Sequence, residues 1–170
     1  DPESGYDPMD PWSQRDPRFY FNFILDGDKI VEKLSDSRAY VQLYIGGNNR
    51  NANNSQTGYG WKKFWHIRDN NHDNGWGDES KYTLCPRIRL AEIYLIYAEA
   101  VNEAYGPNGT HPGANLSAVD AVNIIRQRSQ MPDVNQKFTD NQENFRERIR
   151  NERAVELAFE AKRWFDIRRW

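Results

Sequence analysis

The sequence predicts a mainly α fold, in which helical hairpins pack against a loop-rich part with a small antiparallel β element. From residue 86 onward, apolar residues recur at the spacing of amphipathic helices. Before that residue, two short stretches have the period-two pattern of strands, among frequent Gly and Asn. A length of 170 residues suggests one domain. We therefore divide one structural unit into a loop-rich part, 1–85, and a helical part, 86–170.

The two predicted strands lie in the first half of the chain. Residues 19–25 read FYFNFIL, with the rings of alternate residues on one face. The Asp-Gly turn signal at 26–27 follows, and it predicts a hairpin into residues 28–31. In the second strand, alternate residues of 41–45 are valine, leucine and isoleucine, and the glycine pair at 46–47 ends it.

Helix starts in the second half are indicated by proline and by capping residues. Pro86 can begin the first helix, because a missing N–H costs nothing in the first turn. The apolar stripe of this helix runs from Leu90 to Val101. Ser117, with Asp120 three residues later, resembles a capping box and predicts the start of the second helix.

A third helix is predicted to begin at another capping box, Thr139 with Gln142, and to continue to Phe165. Opposite charges accompany its apolar residues at three-residue spacing. Such charges usually solvate the outer face of a helix. The pairs are Glu143–Arg146, Glu147–Arg150, Arg153–Glu156 and Glu160–Arg163.

The first two helices are expected to form an antiparallel hairpin, with the small Ala98 near the closest approach. The spacing resembles one tetratricopeptide unit with an enlarged loop. One such unit cannot bury both of its faces alone, so more chain is expected. The sequence also starts without Met and ends on the amphipathic FDIRRW. We expect it to be a fragment cut at both ends.

The composition argues against several classes of protein. A net charge of −2 and a pI near 6.0 give no general attraction to nucleic acid or anionic lipid. The single cysteine, Cys85, permits no internal disulfide and no cysteine zinc site. Mean hydropathy is −0.97, yet 14% of the residues are aromatic, a combination that is unusual for disordered chains. The rings therefore either form the core or face a ligand.

Many rings gather in TGYGWKKFWHIRDNNHDNGWG, residues 57–77. Flat rings among Gly, Asn and Asp suit sugars, which present apolar C–H faces and dense hydroxyls, and they would also suit peptides. Trp76, between two glycines, is the best candidate for an exposed stacking ring. In the alternative interpretation, Trp61 and Trp65 cap the helical layer. The predicted ligand-binding residues are Trp76, Tyr59, Trp61, His72 and Asp73.

No catalytic constellation, no metal site and no cofactor site is predicted. Residues 69–80 resemble a calcium loop, but the glycine comes one residue late and Ser80 replaces the final Glu, so a turn is favoured. The three histidines lack the spacing of a helical metal pair. Glu92, Glu99 and Glu103 are expected to lie on a helix surface or to pair with arginines rather than act as acids and bases.

Five segments, in the same order, resemble motifs of the SusD/RagB-like family. PWSQRDPRFYFNFILDG (11–27) is similar to PW..RDPRF, and TGYGWKKFW (57–65) is similar to TGY..KK(Y/F). PRIRLAEIYLIYAEAVNE (86–103) resembles RLAE.YL.YAEA.NE, and AVDAVNIIRQRSQMP (118–132) resembles A...IN.IR.RAG.P. FRERIRNERAVELAFEAKRWFDIRRW (145–170) resembles I..ER..ELAFEG.R..DLRRW. Ala161 stands where glycine is common, and Ser129 stands where alanine is common.

The resemblance implies a mostly α-helical, tetratricopeptide-like protein of starch or glycan utilisation in Bacteroidetes-type bacteria. Such proteins are lipid-anchored on the extracellular face of the outer membrane. They bind oligosaccharides, or peptides in the RagB branch, and close over a SusC-like TonB-dependent transporter. They are not enzymes. The lipid anchor, the N-terminal part and the C-terminal end would be absent from this sequence. Ligand-binding residues differ between members, so none is carried over by position.

Two other functions compete with nutrient capture. A tetratricopeptide-type scaffold would bind protein partners and keep its rings in the core. A calcium-dependent glycosidase is a more remote alternative. A glycan array would separate the first two functions, because only a glycan-binding protein is expected to retain sugars.

Overall fold

The computed structural model describes residues 6–35, 37–44, 46–47, 57–64 and 86–170. The chain forms two compact units, Asp1–Arg18 with Pro86–Trp170, and Phe19–Cys85. The first eighteen residues thus group with the helical residues, although the sequence analysis counted them with the loop-rich part. The described residues form five α-helices and one two-stranded antiparallel sheet, which confirms the mainly α prediction. The elements are α1 Pro17–Asn22, β1 Phe23–Ile24, β2 Gly60–Trp61, α2 Leu90–Tyr105, α3 Ala118–Arg128, α4 Gln142–Glu156 and α5 Arg163–Arg169, with short 3-10 turns at Ser37–Ala39 and Gln136–Phe138.

Helices α2 and α3 form the predicted antiparallel hairpin. Leu95, in the first half of α2, shares a buried cluster with Ile125 near the end of α3. Val101, towards the end of α2, shares another buried cluster with Ala118 at the start of α3. The two chain directions are therefore opposite. Ala98 is fully buried in the second cluster, where its small side chain suits a close helix contact.

The capping box at the start of α3 is confirmed. The Asp120 backbone N–H donates to the Ser117 hydroxyl at 3.1 Å, and the Ser117 backbone N–H donates to the Asp120 carboxylate at 3.3 Å. Both bonds satisfy donors that the first turn would otherwise leave unpaired. This start signal is local, which explains why the sequence pattern was sufficient to find it.

Replacing Ala98 by leucine should destabilise the protein by about 1–3 kcal/mol, because the larger side chain overpacks the contact between α2 and α3. Ala104→Leu is the matched control, since Ala104 lies on the same helix and is exposed. Thermal unfolding followed by circular dichroism measures both variants. Equal melting temperatures for the two variants would show that Ala98 is not at a tight contact.

The predicted capping box at the start of α4 is wrong. Asn141, directly before the helix, caps it by accepting a hydrogen bond from the Asn144 N–H at 2.9 Å. The Thr139 hydroxyl instead donates to the Gln136 carbonyl at 3.0 Å, at the end of the preceding 3-10 turn. Gln142 donates its side-chain amide to the Asn102 carbonyl at 2.6 Å. The sequence offered two capping residues, and the nearer one is used.

The predicted continuous helix up to Phe165 is also wrong, because the helix ends at Glu156 and α5 begins at Arg163. Between them, Phe159 and Ala161 have φ of 63° and 57°, in the left-handed region that side chains with a Cβ rarely adopt. Helical spacing of the apolar residues does not reveal such a break, since it counts positions and not backbone conformations.

Ala161→Gly should stabilise the protein by about 1 kcal/mol or less, since glycine adopts a positive φ without the steric cost paid by alanine. Part of the gain is lost because glycine also gives the unfolded chain more freedom. Ala154→Gly, inside α4, is the opposite-sign control and should cost about 1 kcal/mol. The midpoint of urea unfolding measures both. A lower midpoint for Ala161→Gly would contradict strain at this position.

Two of the predicted charge pairs on α4 form at the exposed surface, as expected. Glu143 pairs with Arg146, and Glu147 accepts a hydrogen bond from Arg150 at 2.9 Å. Glutamates of such pairs have largely exposed side chains, so each pair contributes only a few tenths of a kcal/mol.

The other charges of this region are buried, which corrects the prediction of a solvated outer face. Glu152, Arg153 and Glu156 are 1%, 4% and 3% exposed. Arg153 donates to Asp166 of α5 at 2.9 Å instead of pairing with Glu156. Buried charges require such partners, because removal from water is costly. We call these residues and their partners the buried ion network; its members are Asp16, Arg18, Arg89, Glu92, Arg126, Arg128, Glu152, Arg153, Glu156, Glu160, Lys162 and Asp166.

Arg18 connects the N-terminal segment to α4 through this network. It donates to Glu156 at 3.2 Å and to Asp16 at 2.6 Å. Burial raises the pKa of the Asp16 carboxyl, but the hydrogen bonds from Arg18 outweigh burial and hold that pKa below its ordinary value. The Asp16 carboxylate therefore stays charged and adds to the charge balance of the network.

In the second unit, residues 19–22 belong to helix α1 and not to the predicted strand. Asp16 accepts a hydrogen bond from the Arg18 backbone N–H at 2.9 Å, and Pro17 takes the first helical position. This start combines a capping aspartate with a proline that needs no N–H, and it overrides the period-two pattern. The strand is limited to Phe23–Ile24.

The turn after residue 25 forms as predicted, but the hairpin does not. The Asp28 N–H donates to the Leu25 carbonyl at 3.0 Å. The following residues then pair with a segment further along the chain, since the Ile30 N–H donates to Ala39 at 2.8 Å and the Val41 N–H donates to Asp28 at 2.9 Å. Strand β1 pairs instead with Gly60–Trp61. The predicted alternation of 41–45 holds for Val41 and Leu43, which are buried with Ile24; Ile45 lies outside the described residues.

Candidate functional site

Strand β2 brings two of the predicted ligand residues, Tyr59 and Trp61, next to rings from the start of the second unit. The Tyr59 ring lies 5.8 Å from Phe23 and 6.2 Å from Phe19, with edge-to-face geometry in both cases. Phe19 and Phe23 are themselves 5.0 Å apart. Edge-to-face rings at these distances attract one another. We call Phe19, Phe23, Tyr59 and Trp61 the ring surface.

The pairing register places these rings on one side of the sheet. Phe23 lies directly opposite Trp61, and directly opposed residues point to the same face. Tyr59 precedes Trp61 by two residues and shares that face. Ile24 points to the other face, opposite Gly60, where a Cβ would come within 3.0 Å of the Ile24 Cβ. The glycine therefore permits the close approach of the two strands.

The members of the ring surface differ in exposure. Trp61 is 54% exposed, whereas Tyr59, Phe19 and Phe23 are half-buried. Tyr59 therefore serves mainly as a packed support, and Trp61 offers most of the open aromatic area. The sequence pattern found both residues but had ranked Trp76 above them as the most exposed ring.

Lysines follow the ring surface in the sequence. The backbone N–H groups of Lys62 and Lys63 donate to the Asn22 carbonyl at 3.0 and 3.3 Å, which fixes the end of β2 against α1. The Lys62 ammonium lies 4.0 Å from the Asp28 carboxylate and is 43% exposed. An exposed indole beside a partly exposed ammonium can contact an apolar face and donate hydrogen bonds to hydroxyls.

The remaining predicted ligand residues, Trp76, His72 and Asp73, lie outside the described residues, as does the segment 69–80 that resembles a calcium loop. Their role in ligand binding stays a prediction. In the part of the chain that the structure describes, no three His, Cys, Asp or Glu residues come together as a metal site would require.

The three glutamates considered as acid–base candidates are all ion-paired, as expected for structural residues. Glu92 lies 3.0 Å from the Lys162 ammonium, Glu99 lies 2.6 Å from Arg169, and Glu103 lies 2.7 Å from Arg146. The hydrogen bonds from Arg146 hold the pKa of the Glu103 carboxyl below its ordinary value, although burial slightly opposes this. A carboxyl that stays ionised in this way is unsuited to donate a proton.

A cleft of about 510 Å³ lies between the end of α4 and α5, and sequence reasoning missed it. The glycine position of the resembling motif, occupied here by Ala161, was the one signal of a break that could open it. Its charged groups have partners, since Arg153 donates to Asp166 at 2.9 Å and Lys162 lies 3.0 Å from Glu92. The lining residues are Arg153, Ala154, Leu157, Ala158, Phe159, Ala161, Lys162, Arg163, Trp164 and Asp166.

Among the helices of the described ranges, none combines the length and the apolar character needed to cross a lipid bilayer.

Comparison with known proteins identifies what the chain is similar to. The model of the SusD family matches residues 1–170. The SusD-like protein P2 of Formosa agariphila is 39% identical over 98 residues, which cover 55% of this chain and 18% of that protein. The SusD-like protein P25 of the same organism is 36% identical over 84 residues, which cover 49% of this chain and 14% of that protein.

A solved structure agrees with these sequence matches. The crystal structure of a SusD-like protein from Bacteroides fragilis superposes with a TM-score of 0.68 at 30% sequence identity. The match covers 94% of this chain and 29% of that one. The chain thus spans less than a third of the length of each of these three relatives.

Proposed function

The chain belongs to the SusD family, and we propose that it is part of a cell-surface protein that captures oligosaccharides and delivers them to a SusC-like TonB-dependent transporter. In this proposal the whole protein is held by a lipid anchor on the extracellular face of the outer membrane. It binds and releases its ligand without chemical change. The observation that supports a ligand role for this part of the protein is the exposed Trp61 on the ring surface.

The ring surface has the features that a sugar requires. A pyranose presents an apolar C–H face, and a flat indole that is 54% exposed can cover it. A contact that removes about 40 Å² of apolar area from water contributes about 1 kcal/mol at ~25 cal/mol per Å². The packed Tyr59 below keeps the strand in place, so little ordering cost accompanies binding.

We extend the site to the rest of residues 57–77, with Trp76 as a second stacking ring and with His72 and Asp73 as hydrogen-bonding neighbours. This extension depends on the sequence alone, because a ring between two glycines has little core to fill. A glycan array carrying neutral and acidic oligosaccharides, alongside a peptide array, identifies the ligand class. Retention of peptides and not sugars would favour a RagB-type peptide receptor, and retention of neither would favour a protein-binding scaffold.

Trp61→Ala should weaken binding of the array-selected oligosaccharide by about fivefold or more, which corresponds to about 1 kcal/mol. The melting temperature should change little, because an exposed ring contributes little to folding. Isothermal titration calorimetry measures the affinity, and circular dichroism measures the melting.

Trp164→Ala is the matched control, since Trp164 is a tryptophan of similar exposure, 61%, on a different element. It should leave the affinity unchanged. Trp61→Phe should retain part of the binding because a ring remains. If Trp61→Ala binds the oligosaccharide as tightly as the parent protein does, the ring surface is not the ligand site.

A further inference from the structure

The connection between α2 and α3 is long and yet well fixed. Residues 106–117 exceed the roughly two to eight residues that usually join packed helices, and long ordered loops often carry function. The Tyr97 hydroxyl donates to the Leu116 carbonyl at 2.7 Å, and Thr110 bridges to Ser117 in antiparallel fashion. The Val119 N–H donates to the Pro107 carbonyl at 3.1 Å. These bonds hold both ends of the loop.

Glycines make the first turn of the loop tight. Gly106 ends α2 with φ of 79°, a conformation that favours glycine. At Gly109, a Cβ would come within 2.1 Å of the Tyr105 carbonyl oxygen, so no larger residue fits there without rearrangement. The loop therefore returns directly over the end of α2 and brings His111 to Tyr105.

Tyr105 and His111 form an exposed ring pair. Their ring centres are 6.2 Å apart and their planes meet at 76°. Tyr105 is 47% exposed, and His111 is exposed as well. Two nearly perpendicular rings present flat faces in two directions, which forms a corner for a flat apolar ligand.

The histidine is oriented by its own loop. Its Nδ1 accepts a hydrogen bond from the Gly113 backbone N–H at 3.0 Å. Since Nδ1 is then the acceptor, Nε2 carries the ring proton and can donate to a ligand oxygen. Exposed polar side chains of Asn108, Thr110 and Asn115 add further donors and acceptors on the same loop.

The charge of the loop indicates which ligand it suits. Residues 106–117 contain no Asp, Glu, Lys or Arg, in a chain where 28% of the residues are charged. Recognition here would depend on ring stacking and hydrogen bonds to hydroxyl groups. Those two interactions match a neutral sugar better than an acidic or basic ligand.

We propose that Tyr105 and His111 form a second sugar-binding site, separate from the ring surface, for a unit of a neutral oligosaccharide. The sugar ring lies against the aromatic corner, and the imidazole Nε2–H donates to one of its hydroxyls. The proposal rests on the proposed function. It adds a contact that would strengthen binding of longer chains, because two linked contacts bind more tightly than either does alone.

The test follows the imidazole of His111 by NMR during titration with maltohexaose, xylohexaose and laminarihexaose, with His111→Gln used to assign its signal. We expect at least one hexaose to shift this signal in the parent protein and in Trp61→Ala. Tyr105→Ala should weaken the affinity read at His111 by about fivefold or more. Tyr105→Phe, which keeps the ring, should retain most of it. Phe165→Ala removes another exposed ring, 68% exposed, and should have no effect.

The outcomes separate this inference from the proposed function. If a hexaose binds through Trp61 while the His111 signal does not move, the second site is wrong and sugar capture stands. An unchanged affinity in a folded Tyr105→Ala would likewise overturn the second site alone. If none of the three hexaoses binds anywhere on the protein, the second site for neutral sugars is wrong, and capture of these neutral sugars by the ring surface fails with it.

Discussion

Glu152→Ala should destabilise the protein by about 3–5 kcal/mol. The Glu152 side chain is 1% exposed and accepts a hydrogen bond from Arg126 at 2.9 Å. It also lies 2.7 Å from an Arg18 nitrogen, as an ion pair whose angles fall outside hydrogen-bonding geometry. Removing the carboxylate leaves two buried guanidinium groups without this partner, and an uncompensated buried charge is costly.

The position of Glu152 decides the size of the effect, and the matched control removes position as a variable. Glu147 lies on the same helix, pairs with Arg150 at 2.9 Å and has a side chain that is 63% exposed. Glu147→Ala should therefore change the free energy of unfolding by about 0.5 kcal/mol or less. Glu152→Gln, which keeps one acceptor but no charge, should fall between the two. Urea unfolding measures all three, and equal losses for Glu147→Ala and Glu152→Ala would contradict a stabilising network.

Phe145→Ala should cost about 3–5 kcal/mol, because it opens a cavity at the centre of the helical unit. Phe145 is fully buried, in the same cluster as Ala98, Val122 and Ile149. These residues come from three helices, α2, α3 and α4, so the ring joins the hairpin to the next helix. Loss of the ring removes both the transfer free energy and the contacts that cannot be replaced by collapse.

Two variants control for the Phe145 prediction. Phe145→Leu keeps most of the volume and should cost less than about 1.5 kcal/mol. Phe165→Ala removes an exposed ring and should cost about 0.5 kcal/mol or less. Urea unfolding by fluorescence or circular dichroism gives the free energies. If Phe145→Ala unfolds at the same urea concentration as Phe165→Ala, α4 does not pack on the hairpin as described.

The family motifs find a physical explanation in the buried ion network. In the segment RDPRF, Asp16 caps α1 and Arg18 reaches Glu156. The segment ER..ELAFE contributes Glu152 and Glu156, and the segment RLAE contributes Arg89, which pairs with Glu156 at 2.9 Å. These motif residues thus hold the framework together. A ligand-specific residue is better sought in segments that carry rings without such partners.

Some features were determined by the sequence alone because their causes are local. The capping box of Ser117 and Asp120 spans three residues, and the burial of Val41 and Leu43 follows a period of two. The hairpin of α2 and α3 follows from two apolar faces joined by a single loop. The rings Tyr59 and Trp61 were also visible, because large rings among glycines stand out in any window.

Other features were decided by the tertiary structure, because they depend on residues that are far apart in the chain. Glu156 looks like a surface charge in its own helix, and only Arg18, 138 residues away, makes its burial tolerable. Phe23 pairs with Trp61 rather than with the nearer residues 28–31, and this register exposes Trp61 while Tyr59 packs below it. A charge or a ring is compatible with either environment, and its distant partner decides which one it occupies.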